Sequence, residues 1–387
     1  MIPIVLPFSM DALQGAVRRY LARPVLDIAG VVPRRIAPES AVYQLEVTYH
    51  VESGSRAADD STDTLDLVYK AGSVQVCGAT DEGSDYREAQ FYSTLAGQLP
   101  VRTPRLLLTA ADVVGEPTLP LVAGSSGSRF GGFSSYSGRN LSDPLLSDDW
   151  ILMEALPSDG HLLRGSWTAE HYRKALTTLA ELHASHWGRP PDRDDYPWVW
   201  SPTGHHTEML VEDSRLALLE LEGKSWCADF FPEGHLRAWL NVLEEPWRLL
   251  DTLAAMPQTL IHGDYWPGNI AMRAEGPAVF DWQFVGAGPA VYDLASFYSL
   301  SRWWFGRLPL SLAEIRGHYL RELNLRLGED IDRYAFDLGI DTARAWRFAI
   351  SWPRSILDHH SSLMSARHRL QNTVLEPSFA SLRRCLQ

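Results

Sequence analysis

The amino-acid sequence predicts an α+β chain of two lobes, a mainly antiparallel sheet over residues 1–156 and a mainly helical lobe over residues 157–387. Two observations carry this. Residues 41–50 (AVYQLEVTYH) and 64–69 alternate apolar and polar side chains and are rich in β-branched and aromatic types, so they read as a hairpin and not as strand-helix-strand. Beyond Trp198 the apolar positions recur at helical intervals, as in HLRAWLNVLEEPWRLLDTLAAM and SLAEIRGHYLRELNLRL. A length of 387 residues with 45% apolar content supplies enough core for two such bodies.

In chain order, Ser9 caps a short amphipathic helix over 9–21, in which Leu13, Val17, Tyr20 and Leu21 share a face. The hairpin follows, its strands separated by the polar tract ESGSRAADDSTD. PRLLLTA (104–110) and WILMEALP (150–157) are further strands, the second stopped by Pro157. Between them, residues 123–149 are dense in Gly and Ser, lack periodicity and far exceed an ordinary connection, which leaves a passive loop or a closing flap as readings. Thr168 caps a helix reaching Trp187, with Tyr172, Leu176, Leu179, Leu182, His183, His186 and Trp187 on one stripe. His183 and His186 form H-x-x-H there, yet no third ligand at a zinc-site spacing follows, so both are read as packing residues.

Composition excludes several classes. The formal net charge of −13, from 35 basic and 48 acidic residues, argues against nucleic acid or an anionic membrane as the main partner. Cys77, Cys227 and Cys385 form no paired framework and no C-x-x-C, which points to a reducing compartment without disulfides. No apolar run reaches the ~18 residues of a membrane span, and MIPIVLPFSM carries no basic leader, so a cytoplasmic location is expected.

The chemistry concentrates in residues 260–293, LIHGDYWPGNIAMRAEGPAVFDWQFVGAGPAVYD. His262, Asp264 and Asn269 stand at the intervals of the kinase catalytic loop H-R-D-x-x-x-x-N, and Asp281 follows a hairpin-like segment, AMRAEGPAVF. A hydroxyl nucleophile needs a carboxylate to orient it and take its proton, a role open to Asp264. Magnesium is hard and binds oxygens, which Asn269 and Asp281 supply. Between them, Pro267 and Gly268 make a turn that sets Asp264 and Asn269 on either side of one point. The bland reading makes these residues caps of turns and helix ends, but four of them at this spacing favour catalysis. His262 is read as holding the loop, and Asp293 as a cap or brace.

HGDYWPGN, then FDWQ, then GPAVYDLA, together with LAELHASHWG, resemble the aminoglycoside phosphotransferase and choline kinase superfamily, in particular its ecdysteroid-kinase-like branch. The resemblance runs from about residue 42 to 297. It implies a bilobal protein-kinase-like fold that uses ATP and Mg2+, with Asp264 as base and Asn269 and Asp281 as metal ligands. It also implies that Lys70, ending a strand, holds the nucleotide's phosphates while paired with Glu88, and that backbone groups from Glu154 to Leu156 receive adenine. One departure stands out: RRIAPESAV, before residue 42, has no glycine where protein kinases carry G-x-G-x-x-G. The implied partner is a small hydroxylated acceptor. The net charge and the aromatic segment SRWWFG lean towards a cationic or amphipathic alcohol, with Glu322, Glu329 and Asp358 as acidic candidates, while a neutral sugar or steroid-like alcohol meets the same loop. Two other classes stay open: a catalytically silent kinase-like binding module, and a metal-dependent hydrolase using His262, Asp264 and Asp281 as ligands.

Overall fold

A computed structural model of the chain describes residues 4–37, 42–51, 61–71, 87–113, 119–121, 150–156, 167–204, 206–232 and 234–386. The expectations placed on 123–149, on the turn before residue 42 and on Cys77 lie outside the described residues. The chain divides into two compact units. The first falls within Met1–Val74, Glu88–Gly97 and Thr103–Leu156, and the second within Gln75–Arg87, Gln98–Arg102 and Pro157–Gln387.

The first unit contains β1 (Ile4–Leu6), α1 (Met10–Leu21), β2 (Val25–Ala37), β3 (Val42–Val51), β4 (Ser61–Ala71), most of α2 (Arg87–Thr94), β5 (Leu106–Thr109), β6 (Leu119–Leu121) and β7 (Trp150–Glu154). Five strands form one antiparallel sheet in the order β2-β3-β4-β7-β5. Along β3 and β4, Tyr43, Leu45, Val47, Tyr49, Leu67 and Tyr69 are buried at every second position, because successive strand side chains point to opposite faces. They share a core with Leu13, Ala16 and Val17 of α1, spaced to fall on one helical face. The Ser9 hydroxyl accepts from the Ala12 N–H, which fixes where α1 starts. The alternation that buries Tyr69 turns Lys70 to the opposite face.

β2 is not foreseen by the sequence reading. It is an edge strand with register shifts, Leu26, Val32 and Ile36 are exposed, and Pro33 sits inside it. An edge tolerates the missing N–H, and the broken alternation hides the strand.

The second unit is mainly helical: α3 (Ala169–Ser185), α4 (Thr207–Glu222), α5 (Cys227–Phe230), α6 (His235–Glu244) and α7 (Trp247–Ala254) precede α8 (Val291–Phe305), α9 (Leu312–Leu327), α10 (Arg333–Asp358), α11 (His360–Ser365), α12 (Arg367–Leu370) and α13 (Glu376–Leu386). Four short strands interrupt the helices. β8 (Gln258–Ile261) pairs with β11 (Gly286–Pro289), and β9 (Ile270–Arg273) forms a hairpin with β10 (Gly276–Val279). β11 lies within FDWQFVGAGPAVYDLA, whose Gly and Pro carry no strand signal. Cys227 and Cys385 are free thiols. Among the described residues no helix is long and apolar enough to cross a membrane.

Candidate active site

The stretch between β8 and α8 is fastened to the second unit from below. Gly263 has a φ of +82°, and a Cβ there would lie 2.1 Å from the Phe284 carbonyl oxygen, so only glycine fits. The turn leaves two backbone N–H groups facing inward, those of His262 and Gly263, and they donate to Oδ2 and Oδ1 of Asp293 at 2.7 and 2.8 Å. Asp293 is fully buried in the first turn of α8. Burial alone would raise its pKa, but hydrogen bonding and charge interaction with His183, and the interactions with His262, hold it below the ordinary carboxylate range.

His183 meets Asp293 through Nε2 at 3.2 Å and Tyr319 through Nδ1 at 2.6 Å. Burial pushes the Tyr319 phenol well above its usual pKa, so it keeps its proton and shares a hydrogen bond with Nδ1. The Nε2–H of His183 then donates to Asp293. A line of buried groups thus runs from α9 through α3 and α8 to the backbone beside Asp264. Tyr265 adds a further tie, its hydroxyl donating to the Ala175 carbonyl of α3 at 2.7 Å.

His262 is fully occupied. Its Nδ1 accepts from the Asp264 N–H at 3.2 Å, and its Nε2 donates to the Phe280 carbonyl at 3.0 Å. An imidazole engaged at both nitrogens has no lone pair for a metal, which removes the His ligand that a metallohydrolase arrangement needs. Among the described residues, no three His, Cys, Asp or Glu side chains cluster as a metal cage.

Asp264 keeps 24% of its side chain exposed. The Asn269 amide nitrogen donates to both its carbonyl oxygen and its Oδ2, each at 2.9 Å. Burial raises the Asp264 pKa above the ordinary carboxylate range; Asp281 adds to the rise, whereas Arg347, His262 and Asn269 oppose it. Arg347, from α10, donates to the Gly263 carbonyl at 2.8 Å and places Nη2 3.9 Å from Asp264 Oδ1, with its guanidinium over the Tyr292 ring. The sequence reading missed this residue: RAWRFAI shows only helical periodicity, and nothing in it distinguishes a site arginine from a packing one.

Asn269 and Asp281 are brought together by the hairpin between them. The Phe280 N–H donates to the Asn269 carbonyl at 3.0 Å, so Asp281 follows directly. Asp281 has a φ of +65°, in the left-handed region that only Asp and Asn among charged and amide side chains enter readily. Because the Asn269 nitrogen is committed to Asp264, its oxygen is the group left for a hard cation. One amide oxygen and one carboxylate suit Mg2+, which takes few protein ligands and completes its shell with phosphates and water.

The remaining predicted residues lie in the first unit. Lys70 Nζ donates to Glu88 Oε2 at 2.5 Å, and the pair is mostly buried, at 14% and 11% exposure, so it is screened far less than a surface pair. At the end of β7 the Glu154 carboxylate accepts from the Arg105 N–H at 3.2 Å, the Glu154 N–H donates to the Arg105 carbonyl, and the Ala155 N–H donates to the Asp66 carbonyl. Two of the three backbone donors expected to receive a base are thus engaged within the unit, and Leu156 carries the third.

An antiparallel five-stranded unit, a helical unit, and an H-x-D-x-x-x-x-N loop pinned by a buried aspartate define a kinase-like fold. The profile of the phosphotransferase enzyme family matches residues 82–336, more than half of the chain. The chain belongs to this family. It is similar in fold to an ethanolamine kinase of Plasmodium vivax, at 12% identity and a TM-score of 0.52, with 91% of this chain and 83% of that one covered. An aminoglycoside phosphotransferase from Alicyclobacillus acidocaldarius matches at 12% identity and a TM-score of 0.50, covering 95% and 94%. An N-acetylmuramate/N-acetylglucosamine kinase of Pseudomonas putida is 31% identical over 68 residues, which span 18% of this chain and 19% of that protein.

Proposed function

We propose that the protein transfers the γ-phosphoryl group of ATP to a hydroxyl of a small metabolite or antibiotic-like acceptor, with Mg2+ as the required ion. The observation that carries this reading is Asp264, a partly exposed carboxylate of raised pKa whose loop is fixed on both sides, by Asp293 behind it and Asn269 beside it. In the reaction, Asp264 accepts the acceptor's hydroxyl proton as the acceptor oxygen bonds to the γ-phosphorus. The bond from phosphorus to the β,γ-bridging oxygen breaks, and ADP leaves with that electron pair. Arg347 holds the Gly263 carbonyl and so keeps Asp264 from swinging away.

Asn269 and Asp281 would hold the magnesium, which neutralises charge on the phosphates when bound. Lys70, oriented by Glu88, takes the nucleotide's phosphates, and the Leu156 N–H is the donor assigned to adenine. No group beside Asp264 acts as a nucleophile of its own, so a direct in-line transfer without a phosphoenzyme suits the site. The test is a screen of small alcohols, amino sugars and amino alcohols for acceptor-dependent ADP release with magnesium. ADP release that rises with one acceptor supports the reading. Tight ATP binding without ADP release for any acceptor would favour a silent binding module.

A further inference from the structure

Trp266 stands two residues after the base, inside the catalytic loop, and is only half-buried. Its indole folds back across Gly268, where a Cβ would come within 2.2 Å of the six-membered ring, so the glycine is what lets the ring lie there. The Trp266 and Trp304 rings stack, with centroids 5.8 Å apart and planes inclined by 21°. Trp303 meets Trp304 and Trp352 edge-on. Other tryptophans of this unit, Trp239, Trp282 and Trp346, are fully buried in the core, whereas Trp266, Trp304 and Trp352 keep partial exposure beside the loop. Trp352 and Arg347 are five residues apart on α10, about 7.5 Å along the helix axis. The aromatic group is tied to the loop through Trp266, two residues from Asp264 in the chain.

Resting on the phosphotransferase reading, we propose that this shelf is the acceptor subsite, and that the acceptor is an uncharged, ring-bearing alcohol laid against Trp266 with its hydroxyl at Asp264. Aromatic faces bind both ammonium groups and apolar ring faces, so the local charge decides. Arg347 flanks the shelf at the base, and the Arg369 guanidinium lies 5.7 Å from the Trp303 ring on another side. Charges beyond ~8 Å are largely screened at physiological salt, so the groups beside the shelf count for more than the chain's net charge: Arg347 offsets Asp264 there, and Arg369 adds a positive charge. Glu322, a sequence candidate for holding an ammonium, is bonded to Arg326 at 2.8 Å. Asp264 is already shared between Arg347 and Asn269.

The experiment compares wild type, Trp266→Ala and Trp266→Phe with methyl glucoside and cyclohexylmethanol as uncharged ring alcohols, and with choline, ethanolamine and kanamycin as cationic acceptors. The expected result is higher kcat/KM for an uncharged ring alcohol than for every cation. Its KM should rise about tenfold or more in Trp266→Ala and recover in Trp266→Phe, while the KM for ATP holds within about twofold. A cationic acceptor with the highest kcat/KM, or an acceptor KM unmoved by Trp266→Ala, would overturn the inference and leave the phosphotransferase reading standing. If no acceptor releases ADP, that reading fails, and saturation-transfer NMR decides the subsite alone. Transfer to ring protons of the uncharged alcohols that disappears in Trp266→Ala supports it; transfer to choline methyl protons in preference overturns it.

Discussion

The proposed reaction asks Asp264 to be ionised before the transfer and protonated during it, and its surroundings bear on both. Asp264→Asn keeps the size and the Asn269 contact but cannot take a proton. Turnover should fall by about 10²–10⁴-fold, the usual worth of a general base, while calorimetry finds ATP binding little changed. Loss of nucleotide binding in a folded variant would show that the role is misassigned. Arg347 tests the electrostatics separately. Its charge lowers the Asp264 pKa against burial, so Arg347→Met should raise that pKa further. Activity needs the ionised form, hence the acid limb of the kcat–pH profile should move to higher pH; a limb that stays put or moves down would exclude Asp264 as the titrating base. The spacing of His262, Asp264, Asn269 and Asp281 was readable because consecutive residues of one loop keep their intervals in any fold that uses it. Arg347 was not readable, since it reaches Gly263 from a helix more than eighty residues along the chain, and no local pattern encodes that approach.

At the scale of elements, the loop from His262 to Asn269 is a rider on α8. The Tyr319, His183 and Asp293 line links three helices to two loop N–H groups. Sequence periodicity correctly put His183 on a buried stripe and left Asp293 as a cap or brace, but periodicity reports only which face is inside. It could not show that His183 is polar and buried because it serves Asp293. Asp293→Asn replaces an acceptor of two N–H groups by a side chain with one acceptor and one donor, leaving a buried N–H facing another. A loss of about 2–4 kcal/mol of stability is expected near neutral pH. The sign with pH follows from the lowered pKa of Asp293 in the folded state. Its ionised form contributes stability above the carboxylate range of the unfolded chain, and that contribution is lost as pH falls through the folded value. Denaturation of wild type and Asp293→Asn should therefore converge as the solution is acidified. A difference that stayed constant down the acid range would mean that Asp293 is not held as the carboxylate.

Across the whole molecule, the two units carry separable tasks, and substitutions should divide along that line. Lys70, in the sheet unit, is mostly buried with Glu88; Lys70→Ala should raise the KM for ATP about tenfold or more and leave the acceptor KM near its wild-type value. The proposed metal ligands of the helical unit should answer to magnesium instead. Asp281 supplies a charge and Asn269 only a carbonyl-type oxygen, and the Asn269 amide nitrogen also braces Asp264. In Asp281→Asn the main anionic ligand is gone, and a neutral oxygen binds a hard divalent ion far less well. In Asn269→Asp the oxygen donor remains and gains charge, although the hydrogen bond to Asp264 becomes a repulsion. If metal binding dominates, Asp281→Asn shifts the magnesium concentration for half-maximal rate upward more than Asn269→Asp does, and excess magnesium recovers part of its kcat. If bracing the base dominates, Asn269→Asp is the more damaging change and magnesium does not rescue it. A magnesium titration of both variants separates the two outcomes, and wild-type behaviour of Asp281→Asn across that titration would refute the metal role.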